Sequence, residues 1–253
     1  MTASALILLA AAAYLLAASR DRRGWSPLRT GMWLAGCAAA ALAAALPLAV
    51  ETGPILHMAQ HLLLGMAAPI GLVLGAPVTL LLRTGAPAVR RGAVRLLRSR
   101  PLRVLSHPFT AMVLSVGGLY AIMLTPAHTA AAHGPLPHGL LLAHYLAAGY
   151  LFTWSIIGPD PAPHRPGTAT RAAALAAAIA AHAFLAKYLY AHALPHGHDP
   201  ETARAAARLM YYGGDAAELV LACILFGTWY RRRARAAGRR AAPPRPAVGR
   251  AAP

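Results

Sequence analysis

Seven long apolar stretches constrain the fold of this chain more than any other feature. They lie at about 3–19, 31–50, 58–82, 108–125, 138–157, 172–193 and 209–230. A helix needs about 20 largely apolar residues to cross a bilayer, where every backbone polar group must be hydrogen-bonded within the segment. The sequence therefore predicts an all-α, polytopic transmembrane helical bundle of about seven spans, forming a single domain over residues 1–235.

Arginine is concentrated in alternate connections between these stretches. The arginine-bearing segments are 20–29, 83–103, 165–171 and the tail from 231 onward. Positive charge close to span ends stays on the cytoplasmic side. We therefore expect the N-terminus outside and the C-terminus in the cytoplasm, which agrees with an odd number of spans. The arginines at 20–23 also favour a retained first span over a signal peptide.

A formal net charge of +17 would suggest nucleic acid as a partner, but the arginines are separated by apolar stretches. We expect no nucleic-acid partner. Segment 83–106 mixes arginines with Val89, Val94 and Leu96, which predicts a basic helix against anionic headgroups of the cytoplasmic leaflet. A loop that only sets topology explains the segment equally well. The Pro- and Ala-rich tail, 236–253, is predicted to be disordered.

Histidine is concentrated on one side of the predicted topology. Two of the 12 histidines, His107 and His164, fall on the cytoplasmic side, and His182 lies near mid-membrane. The others fall in outer loops or outer halves of spans: His57, His61, His128, His133, His138, His144, His192, His196 and His198. For the loop residues His128, His133, His196 and His198, exposure without a specific role is the favoured interpretation.

The motif HMAQH places His57 and His61 four residues apart, on one face of the third helix. That spacing suits a transition metal, and His144 and His182 are candidates for the same site. Imidazole suits copper, zinc, iron and nickel, whereas thioether sulfur selects Cu(I), so the adjoining Met58 favours copper. Hydrogen bonding between helices explains the same histidines without a metal.

Three ionisable residues lie inside predicted spans: Lys187, Asp215 and Glu218. Charged groups within a membrane are costly and point into the bundle, where partners compensate them. We therefore expect Lys187 to pair with Asp215 or Glu218. A purely structural ion pair and a functional one are equally compatible with the sequence.

Several motifs together resemble the CtaG-type cytochrome c oxidase assembly factors. Residues 57–83, HMAQHLLLGMAAPIGLVLGAPVTLLLR, resemble that family's third span. SHPF at 106–109, HYLAAGYLFTWSIIGPDP at 144–161, AHAF at 181–184 and YYGGDAAEL at 211–219 follow in the family's order. The similarity covers about residues 45–232. Before the seventh span, ETARAAARLM replaces the family's Asp-Gln-x-x-Gly-Gly-type stretch.

The resemblance implies a multi-pass assembly factor in a bacterial plasma membrane, with cytochrome c oxidase subunits as partners and copper as the metal supplied to the oxidase. The positions carried over by analogy are His57, His61, His144, His182, Asp215 and Glu218. On this hypothesis neutral histidines hold Cu(I), with His182 or Met58 as a further ligand, and Asp215 orients one of them. An enzyme is not expected, because the sequence has no nucleophile–base pair or cofactor motif.

Three other interpretations remain open from the sequence. Paired histidines on separate helices also ligate haem, which suggests a haem- or quinone-associated membrane protein. A transporter could use Lys187, Asp215 and Glu218 as a buried relay, although the inverted repeats of many transporters are not evident. A scaffold could bind oxidase subunits without any metal.

Overall fold

The computed structural model describes residues 3–46, 53–125, 135–194 and 199–241. Within these ranges the chain is helical, and no residue there belongs to a β-strand. The helices are α1 (Ala3–Ser19), α2 (Pro27–Ala45), α3 (54–74), α4 (Pro77–Thr84), α5 (Pro87–Leu97), α6 (Arg100–Leu105), α7 (Pro108–Leu124), α8 (Pro135–Ile157), α9 (Thr168–Ala191) and α10 (Pro200–Ala241).

Helices occupy all seven of the predicted apolar stretches. Five helical segments in the described ranges are long and apolar enough to cross a membrane: Pro27–Ala45, Pro54–Thr84, Leu136–Ile157, Thr168–Ala191 and Pro200–Ala237. The first and fourth stretches are apolar helices of shorter length. The all-helical membrane class is thus confirmed, while the total of seven spans and the orientation of the termini stay predictions.

Proline begins many of these helices. Its φ is fixed near the helical value, and its missing N–H falls where a helix leaves the N–H without an intrahelical partner. The residues in this position are Pro27, Pro54, Pro77, Pro87, Pro108, Pro135 and Pro200. Proline therefore marks the residue at which many of these helices begin.

The third predicted span is interrupted rather than continuous. In α3 a π-helical turn spans Leu63–Ala67, and the helix ends at Leu74. Ala76 then adopts a left-handed backbone with φ of 51°, and Pro77 begins α4. A proline disfavours helical backbone at the preceding residue, which accounts for a break before Pro77.

Asp160, in the connection after α8, caps the N-terminus of α4. Its Oδ1 accepts hydrogen bonds from the Thr79 N–H at 2.7 Å and the Thr79 hydroxyl at 2.5 Å, and its Oδ2 accepts from the Val78 N–H at 3.3 Å. Asp160 is 2% exposed. The LGAP and GPDP motifs therefore meet in space, because the second supplies the cap that the break in the first requires.

Arg165 stabilises the connection between α8 and α9. Its guanidinium donates to the carbonyl oxygens of Gly158 and Asp160 and lies over the Trp154 ring. Burial and the positive charges of Arg171 and Arg232 lower the pKa of Arg165 to about 10, with Asp160 opposing them. The side chain therefore stays charged at neutral pH.

The arginine-bearing connections meet at one end of the bundle. Arg83, at the end of α4, forms a 2.6 Å ion pair with Asp21, which follows α1. Arg103 of α6 lies 3.0 Å from the His164 ring nitrogen. We call this the basic end; it comprises segments 20–26, 85–107, 158–167 and Arg231, Arg232, Arg233 and Arg235 of α10. The expected grouping of these segments on one side agrees with these contacts.

The crossing of α2 and α3 depends on two glycines. A Cβ at Gly71 would lie 2.6 Å from the Met32 carbonyl oxygen, and one at Gly36 would lie 2.6 Å from the Leu72 nitrogen. Such distances are well below van der Waals contact, so any larger residue would force the helices apart. Gln60 ties the same helices together by donating to the Ala43 carbonyl at 3.2 Å.

Two predicted boundaries differ from the structure. The stretch ETARAAARLM was expected in an outer loop, but α10 begins at Pro200 and is continuous for 42 residues. An Asp199 cap and a run of strong helix formers account for this early start. The predicted tail begins at 236, whereas α10 extends to Ala241. Residues 242–253, and the predicted end of the second span at 47–50, lie outside the described residues.

Candidate functional site

Three buried rings from three helices converge in the middle of the bundle. The ring centroids of His61 on α3 and His182 on α9 are 6.1 Å apart. Tyr145 of α8 packs against His61, with centroids 4.9 Å apart. The Tyr145 hydroxyl oxygen lies 3.4 Å from the Nε2 of His57, one turn away on α3. The structure therefore brings the three histidines His57, His61 and His182 together, with Tyr145 packed against them. We call these three histidines the imidazole group.

The imidazole group is almost completely buried. His57, His61 and His182 are 3%, 6% and 1% exposed, respectively. Both ring nitrogens of His61 and both of His182 lack a hydrogen-bond partner in the described part of the protein. A buried polar group left without a partner costs about 1–3 kcal/mol, and native proteins keep few of them. Four such nitrogens in one place are available to bind a ligand.

The group lies at the boundary between two apolar clusters. On α9, Ala178 belongs to one cluster and Leu185 to the other, with His182 between them. On α10, Met210 and Leu221 flank Glu218 in the same way. Packed apolar side chains therefore enclose the histidines and Glu218 on both sides, and electrostatic interactions are stronger in such a low-dielectric interior.

Glu218 is the carboxylate closest to the group. Its Oε1 lies 3.9 Å from the Nδ1 of His182, too far for a hydrogen bond, and its side chain is buried. The Oε2 of Glu218 also lacks a partner among the described residues. The hypothesis assigned the orienting role to Asp215, which is half-buried. That role stays a prediction, and Glu218 lies nearer to His182 than Asp215 does.

Gly214 of α10 provides the space that His182 occupies, since a Cβ at this position would overlap the His182 ring. Gly214→Ala should displace that ring and lower the free energy of unfolding by about 1–3 kcal/mol. Thermal unfolding in detergent measures the change.

Gly227→Ala on the same helix is the matched control, because no heavy atom lies within 4 Å of a Cβ there. This variant should be unchanged or more stable by about 0.5–1 kcal/mol. Equal losses in the two variants would contradict the placement of His182 against Gly214.

His144 and Met58 face other surroundings. The His144 ring lies against Gly118 of α7 and is half-buried. Successive residues of a helix point about 100° apart, so the contact of Tyr145 with His61 turns His144 away from it. Met58 is 1% exposed and packs in an apolar cluster with Leu64. His144 is expected to lie beside His57 and His61, but the structure places Tyr145 next to His61 instead.

The expected ion pair of Lys187 is not formed. Lys187 is exposed, and its Nζ lies over the Tyr211 ring, 5.5 Å from the centroid. Within the described ranges it has no ion pair with Asp215 or Glu218. Lys187 lines an open groove of about 400 Å³ with Arg208, Tyr190 and neighbouring residues. A long lysine side chain at a helix end reaches the surface, which explains its position.

Tyr145 and Asp160 differ in how far the sequence could identify them. Tyr145 was not predicted, although a tyrosine inside a span needs a partner for its hydroxyl. In the sequence, Asp160 is only one residue of the GPDP motif, and nothing there indicates that it caps a helix. Its role depends on a helix break about 80 residues earlier, which no local pattern reveals. His128, His133, His196 and His198 lie outside the described residues.

The arrangement of donors limits the kind of metal site that the protein can form. No group of three His, Cys, Asp or Glu side chains within the described ranges converges closely enough to hold a metal ion. His61 and His182 do offer unpartnered nitrogens, and metal–imidazole bonds are about 2 Å long, so their 6.1 Å centroid separation leaves room for one ion. Imidazole donors suit copper. The residues therefore fit a metal with few ligands.

Comparisons with known proteins bear on the same residues. A family model described as cytochrome c oxidase caa3 assembly factor matches residues 12–232. Uncharacterised proteins of Mycobacterium tuberculosis and Mycobacterium bovis are each 39% identical over 178 residues, 66% of this chain and 27% of theirs. An uncharacterised protein of Mycobacterium leprae is 35% identical over 169 residues, which are 63% of this chain and 26% of that protein. The chain thus spans about a quarter of these relatives. No solved structure matches it.

Proposed function

The chain belongs to the cytochrome c oxidase caa3 assembly factor family, and we propose that it carries copper for the oxidase at the imidazole group. One observation supports this most directly: the ring nitrogens of His61 and His182 are buried without partners among the described residues. Purely structural histidines would be expected to have their nitrogens hydrogen-bonded, as buried polar groups are in native proteins.

Copper would be the cargo of this protein rather than its resident cofactor. His61 and His182 would each bind Cu(I) through a neutral ring nitrogen. Glu218 would partly balance the positive charge of the ion within a low-dielectric interior. Tyr145 would hold the His57 ring in place through its hydroxyl.

A site with few ligands suits a carrier, because release then requires few bonds to break. His57, one turn from His61, would take over the ion as it moves along α3. His144 and Met58 would contribute only after their side chains rotate toward the group. Protonation of imidazole competes with metal, so copper retention should weaken as pH falls.

The proposed partners are the cytochrome c oxidase subunits that receive copper, and the proposed location is the plasma membrane of a bacterium. The proposed role involves no catalysed reaction. Family membership and the candidate spans support a membrane assembly role. The copper centres of the oxidase supply the reason for a copper carrier.

The direct test is metal content and the optical spectrum of the purified protein after loading with Cu(I) under reducing conditions. Near-stoichiometric copper without a haem absorption band is the expected result. A haem band would favour the haem-associated alternative. Background copper with no haem, in a chain that is still required for oxidase assembly in cells, would favour the metal-free scaffold.

A further inference from the structure

Two clefts at the basic end share one wall and a strong positive charge. The first, of about 760 Å³, is lined by Leu82, Pro87, Val94 and the arginines 90, 91, 95 and 98. The second, of about 440 Å³, is formed by the connection after α1 and the end of α4, and Arg90 and Leu82 line it as well. We call the two together the arginine cleft.

The positive charge of the arginine cleft is not balanced within the described part of the protein. Asp21 is the one acidic side chain that lines it, and Asp21 is already bound by Arg83 at 2.6 Å. Arg83 and Arg29 also lie over the Trp25 ring. The exposed arginines that remain have no carboxylate within ion-pair distance in the described ranges: Arg20, Arg22, Arg23, Arg90, Arg91, Arg95 and Arg98.

The element that carries most of this charge is amphipathic and largely exposed. No residue of α5 is buried, and Val89 and Leu96 are 49% and 62% exposed. The helix follows directly after the apolar segment that ends at Thr84. A basic helix with exposed apolar residues at such a boundary has the character of a membrane-surface helix.

We propose that the arginine cleft is a binding site for the headgroup of an anionic phospholipid. The guanidinium groups would bind the phosphate, because the planar fork of arginine matches phosphate geometry. Leu82, Pro87 and Val94 would contact the adjoining acyl chains. This site joins two connections that are distant in sequence, and it does not depend on copper binding.

The test uses the full chain in nanodiscs of mixed phosphatidylcholine and phosphatidylglycerol, with the lipids retained after mild extraction identified by mass spectrometry. Phosphatidylglycerol should be enriched around the wild-type protein. R90Q/R91Q/R95Q should reduce its affinity about fivefold for each arginine removed. The matched control is R231Q/R232Q/R235Q, which removes the same charge from exposed positions of α10 and should keep the enrichment.

Three outcomes would overturn the proposal. Equal losses in both triple variants would mean that general positive charge, not the cleft, attracts the lipid. Displacement of phosphatidylglycerol by soluble inorganic phosphate would indicate a phosphate-ion site instead. No enrichment in the wild type would leave an acidic protein segment as the partner. Thermal unfolding in pure phosphatidylcholine, expected to be equal in all three proteins, excludes misfolding as a cause.

Discussion

Replacing His61 and His182 together with alanine should abolish Cu(I) retention. These residues offer the unpartnered nitrogens of the imidazole group, and their loss leaves no pair of facing imidazoles at this place in the described structure. Loss of residues that only support metal ligands costs about 10–100-fold in affinity. Removing two ligands should cost more, so copper after a desalting step should fall to background. Metal analysis of the purified protein measures this.

A control variant removes two histidines from elsewhere. His107 and His192 are both exposed, and His192 packs against Tyr188. The variant His107→Ala/His192→Ala should retain copper at the wild-type level. If His61→Ala/His182→Ala also kept wild-type copper, the imidazole group would not be the site. Loss of copper in both variants would point instead to weak binding by histidines in general.

Substitutions at the imidazole group have a second expected effect, on stability. Replacing His61 and His182 with leucine removes buried polar atoms that lack partners in the described structure while keeping side-chain volume. A net gain of stability in the metal-free protein is expected, because each such atom costs about 1–3 kcal/mol. Thermal unfolding of the apo form measures it. A marked loss would mean that the nitrogens have partners in the folded protein.

Replacing Asp160 with alanine should produce a larger loss of stability than Gly214→Ala. The change leaves the N–H groups of Val78 and Thr79, and the Thr79 hydroxyl, without their acceptor in a partly buried position. Hydrogen bonds to a charged group contribute about 1.5–3 kcal/mol each. Because such terms are not additive, we expect a total loss of about 3–5 kcal/mol, measured by thermal unfolding in detergent.

Asp199 provides a matched control with the same chemistry in an exposed position. Its carboxylate accepts from the Thr202 N–H at 3.0 Å and the Thr202 hydroxyl at 3.1 Å. Asp199→Ala should cost about 1 kcal/mol, the usual contribution of an exposed N-cap. Equal effects of the two substitutions would show that burial of Asp160 adds nothing and that α4 does not depend on it.

The HMAQH motif shows what the spacing of residues in the sequence can predict and what it cannot. The i, i+4 spacing of His57 and His61 was enough to predict a shared helix face, and both side chains are buried in one group with His182. The structure does not place His144 beside His61: its ring lies against Gly118, and its neighbour Tyr145 packs against His61. One position along a helix rotates a side chain by about 100°, and the rotation of α8 within the bundle is set by packing.

The acidic residues show a different limit. Asp215 and Glu218 share one helix face, so the sequence alone could not decide which carboxylate meets His182. The choice depends on where α9 crosses α10, and the contact of Gly214 with the His182 ring fixes that crossing. Lys187 was expected to pair inside the bundle, but it faces a surface groove.

The membrane class, the approximate positions of the helices and the family follow from the linear chain, because apolar length, proline positions and ordered motifs are properties of the sequence. Which polar residues meet depends on the tertiary structure. The Asp160 cap on α4, the grouping of His61, His182 and Glu218, and the arginine cleft each join segments far apart in sequence. Their formation depends on helix rotation and crossing, which packing of side chains sets.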